Sequence, residues 1–523
     1  MSNKYDEIRQ SVNWGGKVKR LNLLVVMALL LSLVMPMASP LTQQAARVQP
    51  LLLEMAAQQP DQVVSVIVQK TATDSRVEEA VAALGGRVTA DLHIINAFAA
   101  ELTAKDLPRL AKVTGVRWVS LDAPVIRTDC SDCTTAGNLA NTYINAIGAD
   151  KVWAARQGQG IGVAVVDSGI NWQTDLYTTM GINRVVANVA YNDGYNATTF
   201  DAYGHGSHVA GVVGGNGRIS SGMYIGVAPQ VNIINVKVGD DLNRGYSTAK
   251  NVVQGLQWIL QNKSTYNIRV VNLSLNSAVA QSYHVDPIDA AVEVLWFNGI
   301  VVVASVGNRG SGAIYPPAND PFVITVGATD DKGTASLLDD VIPSFSAYGQ
   351  TIDGFSKPDL VAPGKNIISL MGNANGMPVD HPANVVRVNG AAAYFRMSGT
   401  STAAPIVAGA AALLLQDEPN LNPDQVKYRL MATANKTWPG YNATTAGAGY
   451  LDVFAAVNGT TTESANTGIA ASNLLSTGSS PINQVWGSVQ WNSVQWNSVQ
   501  WNSVQWNSVQ WNSVQWNSDY WGP

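Results

Sequence analysis

The chain has 523 residues, a net charge of −5 and only 13% charged residues. That length is two to four ordinary domains rather than one, and the weak acidity excludes a dedicated nucleic-acid binder. With only two cysteines, Cys130 and Cys133, neither a disulfide framework nor a four-cysteine zinc site can be built.

Residues 1–40 read as a secretory signal. Lys4, Arg9, Lys17, Lys19 and Arg20 outweigh Asp6 and Glu7, and Leu21 to Met35 is apolar apart from Asn22 and Ser32. A membrane span needs about 20 apolar residues, so a leader cut somewhere between residues 38 and 46 is expected, and with it export.

Residues 60–128 read as a compact mixed unit. Val63–Val68 is a β-branched run, and Ser75–Leu84 has helical spacing that ends at Gly85-Gly86. Extended runs follow at Arg87–Ala90 and Ile94–Glu101. Thr103 and Asp106 resemble a capping box opening a helix over Ala104–Val113, and Val116–Leu121 is a last strand. The order β-α-β-β-α-β is the ferredoxin-like α+β plan.

Residues 140–458 carry a different pattern. Near-continuous apolar runs at Ile161–Val166, Val231–Val236, Val270–Leu273 and Ile300–Val306 alternate with helical segments such as Thr248–Leu260 and Pro287–Phe297. This predicts an α/β fold, a parallel sheet covered by helices on both faces. Asn422-Pro423 marks a helix start. Residues 459–484, rich in Ser, Thr, Asn and Gly, read as a linker. Residues 485–523 repeat Val-Gln-Trp-Asn-Ser, with tryptophans every five residues from Trp486 to Trp521. A period of five fits neither helix nor strand. A weakly ordered, adhesive tail is expected, with a coil of short stacked strands as the alternative.

In open parallel sheets, ligands bind beyond the carboxyl ends of the strands, and polar residues gather there. Asp167 ends the run Gly162–Val166. Asn308 follows Ile300–Val306 and Gly307. His205 lies between glycines in Tyr203-Gly204-His205-Gly206-Ser207-His208, and Ser401 stands before the apolar helix Ile406–Leu415. Each has an ordinary structural reading as a turn residue or cap, and His205 with His208 could instead ligate a metal, although no Glu is close by in sequence and the chain has only three other histidines, His93, His284 and His381. Together they supply every role in acyl transfer: Ser401 as nucleophile, His205 as base, Asp167 to orient the imidazole, Asn308 to donate to the oxyanion.

These motifs resemble those of the subtilisin family of serine proteases. The resemblance is carried by Val-Val-Asp-Ser-Gly-Ile around Asp167, Gly-His-Gly-Ser-His-Val-Ala-Gly around His205 and Ser-Gly-Thr-Ser-Thr-Ala-Ala-Pro around Ser401. It extends over about 145–458 and is supported by Gly226–Pro229, Val271–Leu275, Ser305–Asn308 and Val361–Gly364. It implies a secreted serine endopeptidase acting on protein or peptide substrates and requiring no cofactor. Structural calcium is common in the family, but no ligand set, and so no metal site, can be assigned from the sequence. The resemblance also implies that the ferredoxin-like unit is an inhibitor-type propeptide, cut near Thr128. Substrate-binding roles then fall to Ser274, Leu275 and Asn276. Two departures stand out. Thr402 follows the nucleophile where the family most often has a peroxide-sensitive Met, and Asn276-Ser277 replaces the usual Gly-Gly, which predicts a narrowed or altered cleft. A serine esterase is a weaker reading, because Ser401 lacks the Gly-x-Ser-x-Gly elbow. A binding protein working mainly through the Trp repeat is another, and the repeat itself suggests association with the cell envelope.

Overall fold

A computed structural model describes residues 47–128, 141–192, 198–241, 244–372 and 376–475. The expected leader, Cys130 and Cys133, and the Trp repeat lie outside the described residues.

The first part runs α1 (Pro50–Gln58), β1 (Val63–Lys70), α2 (Arg76–Ala83), β2 (Arg87–Leu92), β3 (Ala97–Thr103), α3 (Leu107–Leu110) and β4 (Val116–Leu121). Its strands form an antiparallel sheet in the order β2-β3-β1-β4, the order expected of the ferredoxin-like plan. Strand alternation divides the sheet between two cores. Val64, Val66, Val68, Phe98 and Leu102 pack with Leu52, Val77 and Val81 in one cluster, while Ile67, Leu92, Ile94 and Ala99 join the core of the following domain. The helix expected over Ala104–Val113 is a 3₁₀ turn, Ala104–Asp106, leading into the short α3. The Thr103 hydroxyl donates to the Asp106 carboxylate at 2.5 Å rather than capping the backbone.

A strand β5 (Pro124–Arg127) leads into the larger part, whose elements include β6 (Gly162–Asp167), β7 (Val185–Ala190), α4 (His205–Gly214), β8 (Asn232–Lys237), β9 (Ser247–Thr248), α5 (Ala249–Asn262), β10 (Ile268–Leu273), β11 (Leu275–Ser277), α6 (Pro287–Phe297), β12 (Val301–Ser305), β13 (Ile324–Thr329), β14 (Leu360–Pro363), α7 (Thr400–Asp417) and α8 (Pro423–Ala432). Seven strands form one sheet in the order β14-β13-β12-β10-β6-β8-β7. Every pair in it is parallel. Strand order reverses about β6, so the carboxyl ends of β6, β10 and β12 face the crevice where such sheets bind ligands. The sheet is buried on both faces, which explains its unbroken apolar runs. Helix α7 runs through the core, with Thr400 to Leu415 all buried. Helix α8 begins with the expected Asn422 cap, completed into a capping box by Gln425.

The first part seals the start of α5. Asp122 Oδ1 accepts from Lys250 N at 2.8 Å, and the Ala123 carbonyl accepts from Ala249 N at 2.9 Å. These are two of the free N–H groups that every helix N-terminus presents. Residues 459–475 were expected as linker from their composition, but they lie against the domain. Arg429 Nε donates to Thr461 O (2.7 Å), Tyr283 OH to Ala470 O (2.8 Å) and Ser472 N to Glu293 Oε2 (2.7 Å). The segment then reaches the ferredoxin-like unit, where Gln69 Nε2 donates to Leu474 O at 3.1 Å and Arg117 Nη1 to Asn473 O at 3.2 Å. Its polar composition is consistent with packing because most of its bonds run through its own backbone to side chains of the body.

Buried carboxyls form a second notable feature, around α6. Asp286 caps the helix, and Asp289, Glu293 and Asp320 are fully buried beside it. Burial alone pushes Asp320 up to about 6, while burial with repulsion from neighbouring carboxylates pushes Asp286 up to about 7 and holds Asp289 and Glu293 well above the usual carboxylate range. Asp353 adds repulsion at Asp289, and Lys357 partly offsets the shift at Asp320. The folded chain therefore keeps protons that the unfolded chain has already lost above about pH 4. Stability contributed by these groups is present below pH 4 and falls as pH rises towards 7. Asp289→Asn is accordingly expected to raise the thermal midpoint by a few degrees at pH 8 and by much less at pH 4. Equal shifts at both values would contradict this account.

Candidate active site

Asp167 closes β6 with its side chain in the crevice. Its Oδ1 accepts from Ser168 N at 2.7 Å and lies 2.7 Å from His205 Nδ1. His205 is the first residue of α4, and the turn before it needs Gly204, whose φ of +108° strains any other residue. Gly206 permits close packing, since a Cβ there would stand 2.2 Å from the Gly169 carbonyl. Asp201 fixes this corner. It accepts from Gly204 N (2.7 Å), Ser207 N (2.8 Å) and Ser168 Oγ (2.9 Å), while Ser168 Oγ accepts from Gly206 N (2.9 Å). Burial raises the Asp201 carboxyl against those stabilising N–H bonds. Sequence reasoning missed Asp201 as a positioning residue; its place just ahead of a helix was the available signal. His208 takes a structural role, with Nε2 between the carbonyls of Ile367 (3.2 Å) and Phe395 (3.1 Å).

Ser401 is the second residue of α7, and α7 packs on α4. Ser401 Oγ is buried and has no hydrogen-bond partner among the described residues. Its backbone N–H donates to the carbonyl of Thr128 at 3.1 Å. Asn308 Nδ2 donates to that same carbonyl. The amide is aimed by Thr400, whose N (2.9 Å) and Oγ1 (3.0 Å) both donate to Asn308 Oδ1, and whose Oγ1 accepts from Gly307 N (3.1 Å). Thr400 is a second positioning residue that the sequence did not single out.

The Thr128 carbonyl is there because β5 lies in the crevice as the middle strand of a small antiparallel sheet, β11-β5-β9. Arg127 pairs with Leu275, Ile126 with Asn276 and Val125 with Ser247. Thr128 N then donates to Ser274 O at 3.3 Å. Ser274 also steadies the loop holding Ser401, its Oγ donating to Ser401 O at 2.9 Å. The Thr128 hydroxyl meets Ser305 Oγ at 2.6 Å, beside a cavity of about 210 Å³ lined by Asn276, Gly307, Arg309, Tyr315 and Ala347. Asn276 does not block this space. Its Nδ2 donates to Ser305 O at 3.0 Å, which folds the side chain against the end of β12. Thr402 Oγ1 is likewise engaged, donating to Gly399 O at 2.8 Å.

The geometry thus places a peptide carbonyl between two N–H donors and sets a carboxylate against one nitrogen of the His205 imidazole. Two donors converging on one carbonyl oxygen stabilise negative charge developing there. Among the described residues no group of three or more His, Cys, Asp or Glu has an arrangement that could hold a metal ion. No helix among them is long and apolar enough to cross a membrane.

Residues 158–481 match the subtilase family model. The chain belongs to the subtilase family. Serine protease AprX of Bacillus subtilis is 40% identical over 316 residues, covering 58% of this chain and 67% of that protein. Subtilisin DY of Bacillus licheniformis is 33% identical over 297 residues, covering 56% of this chain and 90% of that one. Among solved structures, fervidolysin from Fervidobacterium pennivorans, a keratinolytic enzyme related to subtilisin, superposes with a TM-score of 0.59 at 26% identity. That match covers 77% of this chain but only 62% of fervidolysin, less than two thirds of its length. This subtilase is therefore a serine peptidase, with the subtilisin-like fold and a parallel central sheet.

Proposed function

We propose that this subtilase is a secreted serine endopeptidase made as a zymogen, which cuts its own chain between Thr128 and Asp129. The observation that carries this reading is the Thr128 carbonyl, which accepts from both Ser401 N and Asn308 Nδ2. Ser401 Oγ attacks the Thr128 carbonyl carbon while His205 Nε2 takes its proton. Asp167, bonded at Nδ1, holds the ring in the tautomer that leaves Nε2 free to accept, and stabilises the imidazolium. The tetrahedral oxyanion stays between the two donors. On collapse, His205 returns the proton to the Asp129 nitrogen, leaving Thr128 as an ester on Ser401, which water then hydrolyses by the same steps.

The unit 60–128 acts afterwards as the inhibitor. Its capping of α5 and its strand pairing through β5 involve no covalent link across residue 128, so they survive the cut. Protein substrates replace β5 between β9 and β11. Recognition through backbone pairing favours extended, unfolded chains. Export rests on the basic-then-apolar segment 1–40, and retention at the cell envelope on the Trp repeat.

Intact mass and N-terminal sequencing of the exported protein test the proposal. Wild type should begin at Asp129, and Ser401→Ala should keep the segment before it. If both chains stay uncut, or both are cut at the same bond, autoprocessing by Ser401 is wrong.

A further inference from the structure

The residue before Thr128 occupies a subsite of its own. The Arg127 guanidinium lies over the Tyr203 ring, 3.7 Å from its centre, with the Tyr246 ring centre at 5.3 Å. Tyr203 is a fixed platform. It is 7% exposed, packs with Met371, Met377, Phe395 and Met397, and its carbonyl accepts from Met377 N at 2.8 Å. Gly245, at φ +74°, flanks the aliphatic stem, and a Cβ added there would come within 3.6 Å of Arg127 Cδ. The remaining cavity beside Arg127 measures about 10 Å³. An arginine therefore fills the subsite, with an aromatic face beneath its charge.

We propose that this subtilase selects an arginine immediately before the residue whose carbonyl is attacked, through stacking on Tyr203. The inference rests on the proposed reading of the cleft, because it takes β5 as the image of a bound substrate. Backbone register carries it over to other chains: whichever residue pairs with Leu275 lands on Tyr203. An aromatic face attracts a cation, and more strongly when water is excluded. The flat guanidinium also stacks where a lysine ammonium does not. The substrate class is extended protein chain with arginine at this position.

The test uses enzyme matured from the full chain and peptides Val-Ile-X-Thr carrying a chromogenic amide after Thr, with X as Arg, Lys, citrulline or Ala. Arginine should exceed alanine in kcat/KM by about 5- to 30-fold, the range expected of one cation–π contact. Citrulline keeps the planar shape without the charge and should fall near alanine, with lysine between. The arginine-to-alanine ratio should fall at least threefold in Tyr203→Leu and be retained in Tyr203→Phe. Each enzyme serves as its own reference, so a general loss of activity does not affect the ratio. Arginine within twofold of alanine, or citrulline equal to arginine, overturns the subsite while leaving the peptidase reading intact. No cleavage of any peptide overturns the cleft reading and the subsite with it.

Discussion

Asp167→Asn is expected to slow cleavage of the Thr128–Asp129 bond by about 10⁴-fold without unfolding the chain. The substitution preserves volume, and its structural cost is small: Asp167 Oδ1 accepts from Ser168 N at 2.7 Å, and an amide that turns its NH₂ to this position gives up that one bond. What changes is the group facing His205 Nδ1, also 2.7 Å from that oxygen. The carboxylate only accepts, so it keeps a proton on Nδ1 and leaves Nε2 able to take one from Ser401. An amide turned with its NH₂ towards the ring selects the opposite tautomer, and it carries no charge to stabilise the imidazolium. The zymogen itself provides the assay, since the first turnover on its own chain can be followed by mass from the moment of synthesis. A thermal midpoint within a few degrees of wild type would show that the site, not the fold, is affected. A loss below about 100-fold would mean that Asp167 does not orient the base.

Asn308→Leu should lower kcat about 10²- to 10³-fold, or roughly 3–4 kcal/mol of barrier, with KM little changed. Ground-state binding runs along β9 and β11, which the substitution leaves in place, whereas the Asn308 amide strengthens its bond as the carbonyl becomes an oxyanion. The same change leaves Thr400 N and Oγ1 without the Asn308 Oδ1 acceptor they now share. A modest fall in stability should therefore accompany it, and the thermal midpoint should be read beside the kinetics. A rise in KM with kcat intact would place Asn308 in substrate binding instead.

The candidate catalytic positions were legible because each depends on local sequence. A strand run that stops at Asp167, a helix entered through Gly204-His205-Gly206 and another entered at Thr400-Ser401 are short-range patterns of backbone and burial. The same holds for α6, whose bounds Pro287–Phe297 follow from its Asp286 cap and apolar length. The groups that aim those positions were less legible. Asp201 serves backbone donors across a turn, and Thr400 reaches Asn308 across 92 positions of chain. Nothing in its local sequence distinguishes Thr400 from a surface threonine, and Asp201 differs from a loop aspartate only in standing just ahead of a helix.

The sequence by itself determined the parallel sheet and the order of its helices, and it singled out the four candidate residues Asp167, His205, Asn308 and Ser401, since periodicity and motif spacing are properties of contiguous chain. The tertiary structure alone decided that the Thr128 carbonyl meets Ser401 and Asn308, that Arg127 lies on Tyr203, that Asn276 bonds to the Ser305 carbonyl, and that residues 459–475 strap the domain rather than link it. Those outcomes depend on pairings between segments tens to hundreds of residues apart, where register and packing, rather than local propensity, set which groups meet.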